Sequence, residues 1–248
     1  MRTRFFCALT GLFLLNACST TGPSIDDLHG RLSTQPLALT PRTLGELAQL
    51  QPQASGPLRL AIAPPVRASE SVAPFWPGLR LSDRGSSGLG SWTSEEADVI
   101  ERWCAELREE GLIAEASFLP NLFLAEYDGQ IEMLGLREAA ARQGADAVLI
   151  VETATGYEDS ANALAFLDIT LVGGFIFPGH RVYSRTVMQG MVLDVQNEFV
   201  YAAGRGDAEK SERAAGAYAE QTYRKLRRKT RGAALDDLAR ALVGDLES

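Results

Sequence analysis

The chain has 248 residues, with 24 Lys plus Arg against 32 Asp plus Glu, a formal net charge of −8 and a pI near 4.9. Hydrophobic residues at 46% and charged residues at 23% exclude a disordered chain, and 11 Pro with 23 Gly lacking a triplet period exclude collagen-like material. The acidic balance argues against nucleic acid as a partner, because a polyanion is held by a surplus of clustered Lys and Arg.

The first residues read Met-Arg-Thr-Arg, followed by an apolar run over residues 5–15 and then Asn16-Ala17-Cys18-Ser19. Arg2 and Arg4 form a positive leader, and the apolar run is too short for the roughly 20 residues that a helix needs to cross a bilayer. This is the pattern of an export signal. Leu15, Ala17 and Cys18 resemble the lipobox of bacterial lipoproteins, with Asn16 departing from the small or aliphatic residue usual at the middle position.

That resemblance implies that residues 1–17 are removed, that Cys18 carries a thioether-linked diacylglycerol, and that its new amino group is acylated. It also implies the outer membrane, periplasmic face, since Ser19 stands where an Asp would retain a lipoprotein in the inner membrane. At about 0.8 kcal/mol per buried methylene, such acyl chains would anchor the chain permanently. Loss of Arg2 and Arg4 makes the mature chain more acidic still, so attraction to an anionic membrane is not the expected anchoring force. With Cys7 removed and Cys18 lipidated, Cys104 is the remaining thiol, and an intrachain disulfide is not expected.

Residues 18–57 are rich in Ser, Thr, Pro, Gly and Gln, with a weak amphipathic piece at 44–50, and read as a tether. The remainder, 58–248, has the size of a single domain. Residues 58–63 are a compact apolar run closed by Pro64-Pro65, the pattern of a buried strand. A long loop follows, carrying Phe75, Trp76 and Trp92 and the Gly-Ser cluster 85–91. Thr93-Ser94-Glu95-Glu96 then fits a capping box, and Ile100, Trp103, Cys104 and Leu107 share one helical face ahead of a C-capping Gly111.

A second strand is predicted at 112–119, a helix at 130–143 stopped by Gly144, and a buried strand at 145–153. Beyond Gly156 the pattern changes to hairpins: 164–177, a Pro178-Gly179 turn, 182–195, a turn at Gln196-Asn197-Glu198, and 199–203. Asp207 is read as the cap of a helix carrying Ala215, Ala219, Thr222 and Leu226, and a last helix carries Leu235, Leu238, Ala239, Leu242 and Leu246. The fold class is α/β: a three-layer-like mixed sheet with a βαβαβ start, antiparallel hairpins and C-terminal helices.

Three pieces, Gly144-Ala145-Asp146-Ala147, residues 171–179 (Leu-Val-Gly-Gly-Phe-Ile-Phe-Pro-Gly) and Val192-Leu193-Asp194-Val195, resemble the rhombotarget lipoproteins of bacteria over about residues 58–211. Members of that family end in a Gly-Gly, hydrophobic helix and basic tail read by a rhomboid-type protease. This chain ends Val243-Gly244-Asp245-Leu246-Glu247-Ser248, so that processing is not carried over. More loosely, the element order is similar to the periplasmic domains of curli-secretion and penicillin-binding-protein-activator lipoproteins. Neither resemblance implies catalytic residues.

Chemistry-bearing constellations are sparse. Two His, His29 and His180, with no Cys cluster give no metal site, and no nucleophile motif or phosphate loop is present. No cofactor and no catalytic residue are assigned. Asp168 is a charge in an apolar strand and is expected to face solvent or to pair with Arg181 or Arg185. Cys104 is read as a small buried hydrophobe. The basic run Lys225, Arg227, Arg228, Lys229 and Arg231 is read as a solvated helix end, with contact to anionic polymers or headgroups as its alternative.

The chain therefore reads as a lipid-anchored envelope lipoprotein, a non-enzymatic accessory or assembly factor acting through an envelope protein partner. A subunit of an oligomeric curli-type export channel, and so a homo-oligomer, is the alternative; an envelope enzyme comes third. The apolar stretch 164–177 lacks the clean alternation of a lipid-facing strand, which favours a buried hairpin over a barrel strand.

Overall fold

The computed structural model describes residues 43–54, 56–67, 88–120, 133–161 and 179–247. The lipobox with Cys18 and Ser19, the Phe75–Trp76 part of the loop, the 164–177 stretch with Asp168, and Pro178 lie outside these residues.

After a four-residue helix α1 (Leu44–Leu47) come β1 (Leu58–Ile62), β2 (Val66–Arg67), β3 (Gly88–Leu89), α2 (Ser94–Glu109), β4 (Ile113–Phe118), α3 (Met133–Arg142), β5 (Ala147–Ala161), β6 (His180–Asp194), β7 (Val200–Ala214) and α4 (Ala219–Leu246). The fold class is α/β with one mixed sheet of seven described strands.

β1 lies between β4 and β5, parallel to both. The chain thus steps from β1 to β4 in one direction through α2, then back past β1 to β5 through α3. Right-handed crossovers running in opposite directions place their helices on opposite faces, and the core divides accordingly. Leu60, Ile62, Leu149, Val151 and Met188 pack with Trp103 and Leu107 of α2 and Leu235 and Leu238 of α4. Ala61, Val148, Ile150 and Leu193 pack with Leu136 and Ala140 of α3. The result is the expected three-layer arrangement.

Pro64 and Pro65 end β1 because neither can donate to a ladder. The chain resumes as β2 on the same edge of β5: Ile62 pairs with Leu149 and Val66 with Glu152. The other edge of β5 pairs with β6 along its full length, Ala147–Asp194 to Ala161–His180.

Helix α2 starts where its capping box predicts. The Glu96 amide donates to Thr93 Oγ1 at 3.3 Å, and the Thr93 amide donates to Glu96 Oε2 at 2.9 Å. Gly111 and Gly144 follow α2 and α3 with φ of 75° and 77°, the left-handed conformation that closes a helix and favours glycine. No helix among the described residues is long and apolar enough to cross a membrane.

Three readings of the chain change. β6 has β5 on one edge and β7 on the other, so its hairpin partners over 180–194 are residues 147–161 and 200–214. Asp207 caps no helix; it lies within β7, opposite Val187. The two C-terminal helices are one 28-residue helix preceded by a 3-10 turn, Gly216–Tyr218. Gly232 does not break it, because a helical glycine costs only about 1 kcal/mol and the residues around it, from Leu226 to Leu242, are packed on the sheet.

Candidate functional site

A concavity lies where the start of α2, the first half of α4 and Arg67 of β2 meet. It has a volume of about 370 Å³ and is lined by Arg67, Arg224, Arg227, Arg228 and Arg231 together with Thr93 and Glu96. Arg224, Arg227, Arg228 and Arg231 follow an i, i+3, i+4, i+7 spacing and so share one face of α4.

Arg231 is buried, and its Nε donates to Glu96 Oε1 at 2.6 Å. Glu96 is thereby used twice, with Oε2 closing the capping box and Oε1 neutralising a cation from a helix 135 residues away. One of the two terminal nitrogens of Arg231, Nη2, is buried without a hydrogen-bond partner. Arg224 pairs with Glu220, and Arg228 with Glu95 at 3.7 Å, both on exposed side chains.

This placement corrects the reading of the basic run as a solvated helix end. Residues 225–231 occupy the first half of a helix that continues to Leu246, where the macrodipole does not favour cations. Carboxylates take three of these cations: Glu96 pairs with Arg231, Glu95 with Arg228, and Glu212 of β7 with Lys225 at 3.2 Å. Arg231 was visible in the sequence as one charge of a run. Its partner Glu96 was visible only as a capping residue.

A second polar cluster holds the turn between β6 and β7. The buried Asp194 carboxylate accepts from Tyr201 Oη at 2.7 Å, the Gln196 amide at 2.8 Å, the Asn197 amide at 3.2 Å and the Gln53 amide at 3.0 Å. Burial, reinforced by Asp194, pushes the Tyr201 hydroxyl up to about 12. On the other side Arg137 of α3 donates to Val195 O, Gln196 O and the Glu198 carboxylate. Glu198 has a φ of 64°, so this bond helps hold a backbone conformation that a non-glycine residue rarely adopts. Asn197 Nδ2 reaches Gln51 O at 2.7 Å, so the last residues of the stretch assigned to the tether are fastened to this turn.

Glu152 is a third polar group in the core. It sits between Val66 and Gln189 on the sheet face that packs on α3, and its Oε2 accepts from Gln189 Nε2 at 2.6 Å. Oε1 is buried without a partner, and burial raises the carboxyl to about 7. A folded-state value above the ordinary 4.5 means the native state keeps a proton that the unfolded chain has released. Stability is therefore expected to fall as pH rises from about 4.5 through 7, by up to about 3 kcal/mol at 1.4 kcal/mol per pKa unit. Urea unfolding across that range, with Glu152→Gln as comparison, checks it: the isosteric amide should flatten that part of the slope, and an unchanged slope would rule Glu152 out as its source.

Cys104 is buried on α2, as its helical spacing predicts, and burial pushes its thiol up to about 11. His180 is the first residue of β6. Arg181 and Arg185, the expected partners of Asp168, contact Ser211 at 3.5 Å and Glu209 at 3.2 Å across β6 and β7. Among the described residues no group of three His, Cys, Asp or Glu is placed to hold a metal ion.

No family model matches the chain, and no curated protein matches it. Similar solved structures are the lipoprotein GNA1162 of Neisseria meningitidis, PelC of Paraburkholderia phytofirmans as a dodecamer, and the C-terminal domain of LpoB of Salmonella enterica. GNA1162 is 12% identical with a TM-score of 0.34, covering 70% of this chain and 98% of its own. PelC is 12% identical at 0.33, covering 78% and 95%. LpoB is 12% identical at 0.30, covering 66% and 90%. Values this low establish neither a shared family nor a shared function.

Proposed function

We propose that the chain is a lipid-anchored lipoprotein of the bacterial envelope, held by Cys18 at the periplasmic face of the outer membrane, where it serves as a non-enzymatic accessory or assembly factor through protein contacts. The observation that carries this reading is the continuous order of Arg2 and Arg4, the apolar run 5–15, and Leu15-Asn16-Ala17-Cys18-Ser19. The fastening of Gln51–Ala54 to the β6–β7 turn is consistent with it, because a domain suspended from its N-terminus needs a fixed exit point for the tether. The side chains brought together in the described core form ion pairs and capping contacts that stabilise the fold.

Metabolic labelling with a fatty acid tests the anchor. The native chain is expected to take up label and to pellet with membranes, and Cys18→Ala to do neither. Label retained by Cys18→Ala would overturn the assignment. Crosslinking in the intact envelope should trap this chain with another envelope protein; recovery of the monomer alone would count against an accessory role.

A further inference from the structure

We propose that the edge of β4 turned away from β1 is an interface between two copies of this chain, paired antiparallel about a two-fold axis at Ala116. No residue of the tether takes part, so the pairing is independent of lipid on Cys18. Among the described strands β4 is an outer one, bonded to β1 alone. Two hydrogen bonds fix its phase, from Leu58 N–H to Leu112 O at 3.0 Å and from Leu119 N–H to Ile62 O at 2.9 Å. With Leu60 opposite Ala116 and Ile62 opposite Phe118, it is residues 115, 117 and 119 that bond β1, so Ala116 and Phe118 turn their N–H and C=O outward.

Such an edge is a template for a further strand unless charge or cover blunts it. β7 is blunted by its charged residues over 205–213, whereas β4 carries Glu115 as its single charge among small and apolar neighbours. What selects a second copy as the occupant is that β4 complements itself. A two-fold axis normal to the sheet keeps the same face upward in both copies, so opposed residues must share a face. Centred on Ala116, the pairing sets Glu115 of one copy opposite Ser117 of the other. The small Ala116 side chains meet on the axis, and the like charges of two Glu115 carboxylates are kept from facing each other directly.

Helix α2 repeats this self-complementarity in charge. It covers the β4 edge, since Ala116 and Phe118 pack against the cluster that holds Trp103, Cys104 and Leu107. One flank of α2 faces α4, through Arg102 with Asp236 and Glu95 with Arg228. The other flank carries Glu101 and Arg108, both exposed and placed with Cys104 at i, i+3 and i+7. Under the axis the two α2 helices run antiparallel, which aligns Glu101 of each copy with Arg108 of the other. The levels agree. Glu109 ends α2 and Ile113 starts β4 at the same end of the sheet. Ala116 lies about 10 Å from Ile113 along the strand, and the midpoint of Glu101 and Arg108 lies about 7 Å from Glu109 along the helix. That difference is within the reach of a glutamate or arginine side chain, so one axis serves both the strand pairing and two symmetric ion pairs.

The test uses the full chain in density-matched non-ionic detergent, with sedimentation equilibrium as readout. A reversible monomer–dimer equilibrium is expected. Glu101→Arg opposes two arginines at both symmetric contacts and Arg108→Glu opposes two glutamates, so each should weaken association at least about tenfold. The double variant, with the charges exchanged, should recover the native value. Register is read separately. A mixture of Glu115→Cys and Ser117→Cys chains should form a disulfide-linked dimer under mild oxidation, because opposed residues stand about 4.5–5.5 Å apart, a separation that a disulfide spans. Either chain alone should not. A native chain that stays monomeric overturns the proposal and leaves the edge to a strand of another protein. Association that neither single reversal weakens, single reversals that the double variant does not rescue, or a mixture that fails to crosslink overturns it as well.

Discussion

Replacing Gly206 by alanine is expected to destabilise the domain by about 3 kcal/mol and to lower its melting temperature by roughly 6–12 °C. β7 runs beneath α4, and the two approach so closely that a Cβ on Gly206 would lie 2.2 Å from Ala234 O and 2.3 Å from Leu238 N. Both are backbone atoms of the helix and cannot rotate aside, so the methyl group can be admitted only if helix and sheet separate. Leu235, Leu238 and Leu242, all buried at this interface, would then lose contact together. Neighbouring glycines grade the effect. A Cβ on Gly204 would meet the Ala241 methyl at 2.9 Å, and one on Gly190 would meet the Leu238 side chain at 3.1 Å. These substitutions should cost progressively less. Gly232→Ala is the control: nothing lies within 4 Å, and the substitution removes a glycine from a helix interior, so the domain should gain up to about 1 kcal/mol. Thermal melts of the four variants would refute the close-packing account if Gly206→Ala melted with the native chain.

That packing also marks where local sequence stops informing the fold. The start of α2 was legible because a capping box is written in four consecutive residues. β1 and the first half of β5 were legible because their apolar runs need no knowledge of neighbours. β7 was not, since Gly204-Arg205-Gly206-Asp207 and the charged residues 209–213 have low strand propensity. They form a strand because β6 offers an edge and α4 a cover, and because only glycine allows α4 to lie so close. Among the described strands β7 is an outer one, where charges disfavour pairing with a further chain. The second half of β5 was missed for a related reason. The predicted strand stops at 153, yet Thr155 Oγ1 meets Thr186 Oγ1 at 3.3 Å, which in turn meets Thr230 of α4 at 2.9 Å, and Tyr157 packs on Tyr223. Of the arginine pocket, the sequence displayed the basic run but neither its face nor its partners. Arg67 and Glu96 reach it from elements far apart in the chain, and the long helix that orders Arg224 to Arg231 could not be read across Gly232.

Arg231→Met should destabilise the domain by about 3–5 kcal/mol, because it strips a buried carboxylate of its cation. Glu96 is almost fully buried, and its Oε1 has Arg231 Nε at 2.6 Å. Without that partner the charge must be neutralised by a proton, met by water, or exposed by moving the start of α2. Glu96→Gln alone should cost less but still measurably, since glutamine preserves the capping box while Arg231 loses its counter-charge. The double variant separates pair from environment: with both charges gone, a methionine of similar length can fill the space, and most of the lost stability should return. The interaction energy from the four proteins, by urea unfolding, is then expected to be large and favourable, on the order of 2–3 kcal/mol. Additive losses would mean that the two residues act independently and that the capping box alone explains the burial of Glu96. A coupled result would instead show one carboxylate starting α2 and also locking α4 over the sheet, which ties the shape of the arginine pocket to the stability of the fold.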